Sequence, residues 1–410
     1  MEAFPLVILA HVCHPAVTDG FLPAAERLGL PVILLTDHRL EHLAYFSART
    51  AAMPMQVIEC DVFNPLAVID LLRGAGISPA AVFSNSDHLQ TAAAVVAAAF
   101  TLPGKDWRTC YAAKNKAAMR ERLRERGLPC PWFHNLMPGQ VFPSDAPWPL
   151  VAKPREGVAS QDVRLCEDAQ ALQRYADAFW QRHPGRALLL EQRLEGPLFT
   201  VESLSDGRQT QLVGGFDVRL SEPPHFVELE ARWNAVAGRD LREQALAQVL
   251  AFGVDFGVCH SEFVLTGKGP VLVEINYRSI GDGREFLLDR MFERSWFETI
   301  LELHLGKPLS PLQPTWREAL VRYYVADRGG RLRRAIGATR TAMASAQIDY
   351  APLRAEGDNI ELSHSNKDYL GRLSVIAEDS GELDRALTAI EPSLQWEIEP
   401  GRESLAGEAA

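Results

Sequence analysis

The chain has 410 residues, of which 47% are hydrophobic and 23% are charged, and its formal net charge is -11 at pH 7. This composition is typical of a soluble globular protein with about two to four domains, and the acidic balance argues against a nucleic-acid-binding surface. The six cysteines include no CxxC pair, so neither a zinc cluster nor a disulfide framework is expected. No stretch approaches the ~20 apolar residues of a membrane span and no signal peptide is recognisable, so we expect a cytoplasmic protein.

Short apolar strands alternate with helix-like segments over roughly the first hundred residues. Strands are predicted at 6–10, 32–35, 56–59 and 80–83, and helices at 16–28, 65–73 and 87–100. This alternation indicates a parallel sheet with crossover helices. The turn after the first strand contains no glycine, which disfavours a dinucleotide-binding motif. Ligands usually lie at the carboxyl edge of such a sheet, here near His11, His14 and residues 84–86, although each of these alone is more often a turn or cap residue.

Two lysines, Lys114 and Lys116, stand near the start of a charged helix predicted at 112–126. A cation in the first turn opposes the helix dipole. One of the two is therefore expected to have a function, the alternative being a solvated side chain. The following residues, 129–149, contain six prolines and are interpreted as a connector.

A strand predicted at 149–153 ends at Lys153 and runs into a small-residue loop at 157–161. A point charge beside backbone N–H groups that can approach closely favours a phosphate-binding site. The Walker pattern GxxxxGK[ST] is absent, so a site of that type is excluded.

The rest of the chain divides into further helices and strands. Helices are expected at 168–182, 239–252, 284–305 and near 383–390, strands at 187–192, 199–204, 210–216 and 319–325, and a mobile loop at 221–225. The residues after about 310 are mostly β-rich.

Two β-type runs flank Gly267, Lys268 and Gly269, which predicts a hairpin with a three-residue glycine loop. In this register Glu262 is opposite Glu274, and His260 is opposite Asn276. Side chains alternate faces along a strand, so these four polar groups share one face. The other face carries an apolar set for packing: Phe263, Leu265, Val271, Val273 and Ile275.

Directly opposed carboxylates repel each other, and a divalent cation is the simplest compensation. Two carboxylates and an amide oxygen are the ligands that Mg²⁺ takes while it keeps waters and substrate phosphates. The alternative is an ordinary hairpin whose outer face is solvated. A bulge in the loop would slip the register by one residue and separate the pair.

Taken together, these segments resemble the ATP-grasp superfamily, and most closely its carboxylate–amine ligases. The matching motifs follow one another in the family's order over nearly the whole chain: Asn115-Lys116 eleven residues before Gly127, Leu150-Val151-Ala152-Lys153-Pro154, Glu191-Gln192-Arg193-Leu194, His260-Ser261-Glu262-Phe263 and Glu274-Ile275-Asn276-Tyr277-Arg278.

The resemblance implies an α/β (α+β) fold with three domains. These are a preATP-grasp Rossmann-like parallel-sheet domain at 1–106, a two-lobed ATP-grasp domain at 107–309 and a small β-rich C-terminal domain at 310–398. The small lobe is expected at about 130–195, the hinge at 191–197, and a frayed tail at 399–410.

The resemblance also implies ATP and Mg²⁺ or Mn²⁺ as cofactors. Lys116 and Lys153 resemble the two lysines that contact phosphates, and Lys153 is expected to be catalytic as well. Glu262, Glu274 and Asn276 resemble the metal ligands.

Further site residues follow from the same resemblance. Arg278 resembles the arginine that stabilises the transferred phosphoryl group or the acyl intermediate. Ser160, in the loop 158–161, belongs to the segment that closes over the phosphates. Glu191, Gln192 and Leu194 resemble the hinge that holds adenine.

One position departs from the family pattern. Leu198 stands where D-alanine–D-alanine ligases have the acidic residue that holds the ribose. Glu202 is the candidate replacement, provided that the strand between them has no bulge.

Candidate substrate residues follow from their place near the expected cleft: His260, Arg219, His225, Arg278, Gly281, Asp282 and Gly283, with Arg155, Arg232 and Arg284 as further cations. The basic residues among them suggest an anionic substrate such as an amino acid or a hydroxy acid.

The predicted function is that of a ligase that forms an amide or peptide bond between small-molecule substrates through an acyl phosphate. A place in siderophore or other specialised-metabolite biosynthesis, and a homodimer, are further expectations from the relatives. The alternatives are a biotin-carboxylase-like ATP-grasp enzyme and a non-catalytic nucleotide-binding regulator. Nucleic-acid and membrane partners are not expected.

Overall fold

The structure is a computed structural model that describes residues 4–50, 52–234 and 238–400. The predicted tail therefore lies outside the described residues beyond residue 400. Within the described residues, no helix is both long enough and apolar enough to cross a membrane.

Eleven α-helices and 21 strands are found in the described residues. The helices are α1 (Leu22–Arg27), α2 (Arg39–Ser47), α3 (Pro65–Gly74), α4 (Gln90–Ala99), α5 (Trp107–Lys114), α6 (Lys116–Glu125), α7 (Ala169–Arg182), α8 (Arg239–Phe252), α9 (Arg284–Met291), α10 (Trp296–His304) and α11 (Ser380–Ile390). The strands are β1 (Leu6–Leu9), β2 (Val32–Thr36), β3 (Gln56–Glu59), β4 (Ala81–Phe83), β5 (Phe133–Leu136), β6 (Leu150–Pro154), β7 (Arg164–Cys166), β8 (Leu188–Gln192), β9 (Leu198–Asp206), β10 (Thr210–Gly214), β11 (Phe216–Leu220), β12 (Glu228–Trp233), β13 (Phe256–Thr266), β14 (Gly269–Asn276), β15 (Glu318–Val325), β16 (Gly330–Arg334), β17 (Thr339–Met343), β18 (Ala346–Pro352), β19 (Asn359–Ile360), β20 (Tyr369–Ala377) and β21 (Glu397–Glu399).

The N-terminal region is the parallel sheet that the sequence predicts, with strand order β3-β2-β1-β4. Strands β1, β2 and β4 are buried along their length and almost wholly apolar, because helices cover both faces of the sheet. A π-helical turn at Ala16–Phe21 precedes α1, and helix α2 between β2 and β3 was not predicted.

The small lobe is an antiparallel sheet with strand order β5-β8-β6-β7. Helix α7 packs on it through Leu172, Ala176 and Phe179, whose spacing places them on one helical face.

Strand β5 lies inside the proline-rich segment that we interpreted as a connector, so that interpretation was wrong. Prolines flank the strand at 131 and 138 and leave its ladder free to pair with β8.

The helix predicted at 112–126 is two helices, α5 and α6, which meet at Asn115. The Asn115 backbone is extended there, and its side chain accepts a hydrogen bond from the Ala118 N–H as an N-cap. The break places Lys114 at the end of one helix and Lys116 at the start of the next.

The largest sheet is antiparallel and has ten strands in the order β14-β13-β9-β11-β12-β15-β20-β18-β17, with β10 also paired to β9. Strand β12, which was not predicted, joins the two halves by pairing with β11 on one side and β15 on the other. The sheet therefore continues across residue 310, and the predicted domain boundary there stays a prediction. A separate small sheet has the order β19-β16-β21.

Candidate active site

The hairpin of β13 and β14 places Glu262 opposite Glu274 and His260 opposite Asn276, as the sequence predicts. The turn is shorter than predicted, since only Gly267 and Lys268 separate Thr266 from its partner Gly269. A β-bulge then offsets the missing residue, because Val273 is inserted between the pairs made by Leu272 and Glu274.

The bulge also changes which side chains reach the core. Leu272 packs in the core with Phe263 and Ile275, whereas Val271 and Val273 were predicted to do so. Val273 lines a cavity beside Glu274 instead.

Lys116 contacts both the carboxylate pair and the small-residue loop. Its Nζ donates to Glu274 Oε1 at 2.8 Å and to the Gly157 carbonyl at 3.0 Å. Burial disfavours the charged ammonium, but Glu274 outweighs that effect and raises the pKa of Lys116 above its ordinary value. Lys116 therefore remains a cation between the loop and the predicted metal ligands.

Lys114 belongs to a different ion pair. Its Nζ bonds Asp87, the first residue after Ser86 at the edge of the parallel sheet. Asp87 also faces Arg278, whose Nε lies 3.8 Å away. Burial alone would raise the pKa of Asp87, but Lys114 and Arg278 lower it to about 2.

Arg278 also contacts the acidic cluster through Asn276. Its Nη2 donates to Asn276 Oδ1 at 3.2 Å, and the Asn276 amide donates to Glu262 Oε1 at 3.4 Å. Arg278, Asn276 and Glu262 thus form a continuous polar chain beside Glu274.

The predicted hinge contains a buried ion triad. Glu191 accepts from Arg120 at 2.6 Å through Oε1 and at 3.1 Å through Oε2, and Lys153 Nζ lies 2.7 Å from the same Oε2. Burial would raise the pKa of Glu191, but Arg120 and Lys153 together lower it to about 2. The carboxylate of Glu191 is placed to orient Lys153, and it is not a free ligand for adenine.

A cavity of about 620 Å³ lies between the small lobe and the large sheet, within the usual size range of small-molecule sites. Its lining combines apolar side chains with the charged groups described above: Val151, Val264, Val273, Leu194, Leu220, Phe226, Gln192, Ser160, Lys116, Lys153, Glu262 and Glu274. Such a lining suits a ligand that has both an apolar ring and a polyanionic tail.

Glu202 is placed differently from its predicted role in ribose binding. It is fully buried in the large sheet, where Oε1 accepts from Thr200 Oγ1 at 2.9 Å and lies 2.8 Å from His260 Nδ1. Glu202 shares a strand face with Leu198, but it lies four residues further along β9, where it pairs with His260 and does not line the cavity that Leu198 lines, so this position does not support its predicted contact with the ribose.

His260 connects Glu202 to the predicted metal ligand Glu262, whose Oε1 lies 3.4 Å from the imidazole Nε2. Burial would lower the pKa of His260, but Glu202 and Glu262 raise it to about 9. Burial alone would raise the pKa of Glu262, but the neighbouring His260 outweighs burial and lowers the pKa of this carboxyl below its ordinary value. An imidazolium held between two carboxylates fixes the orientation of Glu262.

A second, smaller cavity of about 280 Å³ lies where the parallel sheet, the hairpin and the C-terminal region meet. The predicted residues His11, His14, Asn85, Ser86, Arg278, Gly281, Asp282 and Arg284 line it together with His260. Gly283 lies beside it, packed against Arg372 at the start of α9.

Other predicted substrate residues lie outside this second cavity. Arg219 lines the larger cavity and pairs with Glu230, 3.5 Å away. His225 stacks on His364 with ring centroids 4.3 Å apart, in a separate depression beside Arg164. Arg155 pairs with Glu156, and Arg232 pairs with Glu318.

The donor set fits a hard divalent cation. Glu262, Glu274 and Asn276 offer carboxylate and amide oxygens from adjacent positions of one hairpin. The ammonium group of Lys116 bonds Glu274 and offsets part of the negative charge of the two facing carboxylates. Lys116 also contacts the loop that would cover the phosphates.

Comparison with known proteins agrees with this geometry. Residues 113–282 match the family model ATP-grasp_3, described as an ATP-grasp domain. This segment of the chain is therefore assigned to the ATP-grasp domain family. The matched segment contains the glycine loop, the hinge and the hairpin, and ATP-grasp enzymes bind ATP with divalent metal ions.

The chain is similar to one solved structure in fold and to two curated proteins in sequence. L-amino acid ligase from Bacillus licheniformis superposes with a TM-score of 0.77 at 20% identity, covering 97% of this chain and 100% of that one. Protein y4rH of Sinorhizobium fredii, which is uncharacterised, is 27% identical over 401 residues, or 93% of this chain and 81% of that protein. Dapdiamide A synthase of Enterobacter agglomerans is 26% identical over 213 residues, or 48% of this chain and 50% of the synthase. The match thus spans half of the synthase, and the named relatives agree with the predicted enzyme class.

Sequence reasoning missed several residues of the site. Glu228 and Asn366 lie on β12 and in the C-terminal region, far from the motifs, and Glu228 pairs with Arg284 at 2.9 Å. Arg120 had one detectable signal, since an arginine on the buried face of an amphipathic helix needs a carboxylate partner.

Proposed function

We propose that the chain is an ATP-dependent ligase that joins a carboxylate to an amine through an acyl phosphate, giving ADP and phosphate. The observation that carries the proposal is the wall shared by the two cavities. Glu228, Glu262, Glu274 and the loop residues 158–160 line both of them. A carboxylate in the smaller cavity would therefore lie next to a nucleotide polyphosphate in the larger one.

The first step requires a carboxylate oxygen to attack the γ-phosphorus while the bond to ADP breaks. Both reactants are anions, so the demand on the protein is electrostatic. Lys116 and Lys153 supply fixed cations in the nucleotide cavity, and Arg278 supplies one in the smaller cavity. A magnesium ion held by Glu262, Glu274 and Asn276 would neutralise further phosphate charge when bound.

In the second step the amine nitrogen attacks the acyl carbon, phosphate leaves and the amine loses a proton. We place the amine substrate in the smaller cavity, because this cavity is enclosed by the N-terminal and C-terminal regions as well as by the hairpin. This step needs no nucleophilic serine or cysteine.

The substrates we propose are small anionic molecules such as amino acids or hydroxy acids. Arg278, Lys367 and His14 line the smaller cavity, and its volume of about 280 Å³ suits a molecule of that size. The names of the L-amino acid ligase and of dapdiamide A synthase support this class. Specialised metabolism, cytoplasmic localisation and a homodimer stay predictions.

The test is a screen of paired amino acids and small carboxylates for release of phosphate and formation of a condensed product. We expect release that depends on both a carboxylate and an amine. Bicarbonate-dependent ADP release without an amine would instead favour the biotin-carboxylase-like alternative. Binding of nucleotide without any turnover would favour a regulator.

Glu274→Gln tests the site itself. The variant keeps the shape of the side chain but removes one metal-ligand charge and the partner of Lys116, so we expect ATP turnover to fall by roughly 10²-fold or more in a folded protein. ADP release and thermal unfolding are measured together. Glu243→Gln, an exposed change on α8, is the matched control. Normal ADP release from the Glu274 variant would remove this residue from the site.

A further inference from the structure

A cluster of two histidines and one aspartate lies at the carboxyl edge of the parallel sheet. His11 follows β1, and Asp37 and His38 follow the adjacent strand β2. One ligand atom from each of the three side chains lies within 4.8 Å of the other two. His11 Nδ1 is 2.8 and 2.9 Å from the two carboxylate oxygens of Asp37, and the rings of His11 and His38 are in edge contact with centroids 4.5 Å apart.

The backbone under the cluster is held in place by buried side chains. The Thr36 hydroxyl donates to the His11 carbonyl at 3.0 Å and accepts from the His38 N–H at 3.0 Å. The same His11 carbonyl lies 3.2 Å from Nε2 of the buried His42, which donates to it. The two loops that carry the ligands are therefore fixed to each other before any ion binds.

We propose that His11, Asp37 and His38 form a binding site for a divalent transition-metal ion of the zinc type. Two imidazoles and one carboxylate are the ligands that such ions prefer, and three protein ligands leave positions open for water or a small molecule. Metal–ligand bonds of about 2.0 Å place ligand atoms about 3.3 Å apart, so a small rotation of these half-exposed side chains is sufficient.

This site is distinct in chemistry from the one formed by Glu262, Glu274 and Asn276. Those residues offer only oxygen atoms, which suit Mg²⁺, whereas imidazole nitrogens select softer ions. The histidine cluster borders the smaller cavity through His11 alone. Its occupancy can be measured without nucleotide and without substrates, so this inference stands or falls separately from the proposed function.

The experiment is calorimetric titration of the chelator-treated full chain with Zn²⁺ in the absence of nucleotide, together with the visible absorption of the Co²⁺-loaded protein. We expect one ion per chain, and a loss of affinity of at least about 10-fold in His11→Ala and in His38→Ala. Both histidine side chains are partly exposed, and circular dichroism monitors the folding of both variants.

His183→Ala is the matched control, because His183 also faces a carboxylate, Asp162 at 3.2 Å, but belongs to no comparable cluster in the residues that the structure describes. Glu274→Gln separates the hairpin from the result. We expect both variants to bind Zn²⁺ as the unmodified chain does. The proposal is overturned if the unmodified chain takes up no Zn²⁺, or if folded His38→Ala binds it with unchanged affinity.

Discussion

His260 shows how one buried side chain can make the site depend on pH. Its imidazole lies 2.8 Å from Glu202 and 3.4 Å from Glu262, and both carboxylates favour its charged form. Removing the proton would leave the fully buried Glu202 without its counter-ion, at the point where Glu262 must be held in position.

We predict that His260 stabilises the fold below neutral pH and loses this effect under alkaline conditions. Its pKa is raised from 6.5 to about 9 in the folded chain, so the contribution is fully present below 6.5 and disappears as the pH rises through about 9. The loss should be on the order of 1–3 kcal/mol in the free energy of unfolding. Urea unfolding at several pH values, for the unmodified chain and for His260→Gln, measures it.

The His260→Gln variant should lack this alkaline decrease, and His183→Gln, at a partly exposed pair, should retain it. If His260→Gln and the unmodified chain lose stability in parallel between pH 6.5 and about 9, another group is responsible.

At the residue scale, sequence patterns predicted the site side chains that lie on the two strands of one hairpin. They missed contacts between side chains that are far apart in the sequence. Glu262, Glu274 and Asn276 could be placed together because strand alternation fixes their faces. Glu202 is on a strand too, but its partner His260 is 58 residues away, and a cross-strand pairing of that range has no local signal. Glu191 was recognised as part of a motif, while its partner Arg120 was not.

At the element scale, the hairpin of β13 and β14 shows why the ends of strands are harder to predict than the residue pairs between them. The loop is one residue shorter than predicted, which shifts the register of the two strands by one residue. The bulge at Val273 shifts the register back, so Glu262 still pairs with Glu274. The cancellation is invisible in the sequence, because a bulge changes which side chains face the core without changing composition. Strand β5 was missed for a related reason, since prolines at its ends dominated the local pattern.

Gly196 links the hinge to this hairpin. Its φ is +141°, and a Cβ there would meet the carbonyl oxygen of Leu265 at 1.9 Å. The neighbouring Pro197 carbonyl accepts a hydrogen bond from the Leu265 N–H at 3.0 Å. The hinge backbone is thus in direct contact with β13.

We predict that Gly196→Ala displaces the hinge from the hairpin, because neither the backbone angle nor the space permits a side chain. The free energy of unfolding should fall by about 1–3 kcal/mol, and the KM for ATP should rise. Gly267→Ala in the hairpin turn, where an added Cβ meets nothing within 4 Å, is the control and should change both quantities less. An unchanged KM in a destabilised Gly196 variant would mean that the hinge position does not matter for nucleotide binding.

At the scale of the whole molecule, the large sheet unites regions that the sequence presents as separate domains. Strand β15 pairs with β12 on one side and with β20 on the other. Side chains of β15 and β20, including Val321 and Tyr369, share one core with Trp296 of α10. The β-rich character of the C-terminal region was readable from the sequence, whereas its pairing with β12 was not, because Glu230 and Arg322 are paired across 92 residues and a pairing of that range has no local signal.

We predict that a fragment ending at residue 309 does not fold into a stable ATP-grasp domain. Removing β15 exposes the edge of β12 and opens the shared core, and both changes promote aggregation. Size-exclusion chromatography and thermal unfolding of the fragment, with the full chain as reference, measure this. A monodisperse fragment with a cooperative transition would support the separate domain that the sequence suggested.

The same continuity brings Asn366 from the C-terminal region to the middle of the site. Its backbone N–H donates to the Ala159 carbonyl of the glycine loop at 3.1 Å. Its side chain accepts from the Glu228 N–H at 3.1 Å, and its amide donates at 3.4 Å both to the Glu228 carboxylate and to Asp282. Asn366 therefore contacts the loop over the nucleotide cavity, the wall between the two cavities and the lining of the smaller one.

We predict that Asn366→Ala uncouples ATP consumption from product formation. The backbone hydrogen bond to the loop remains in this variant. Glu228 and Asp282 lose their hydrogen bonds to the Asn366 amide and are no longer connected to the loop through this residue. We therefore expect water to reach the acyl phosphate more often. In the proposed reaction, phosphate release without product should rise relative to product formation by roughly 10-fold. Both are measured in the same assay, with and without the amine, and Asn359→Ala, an exposed change on β19, serves as the control. A ratio equal to that of the unmodified chain, in a variant with normal ATP turnover, would show that the C-terminal region encloses the site without controlling the fate of the intermediate.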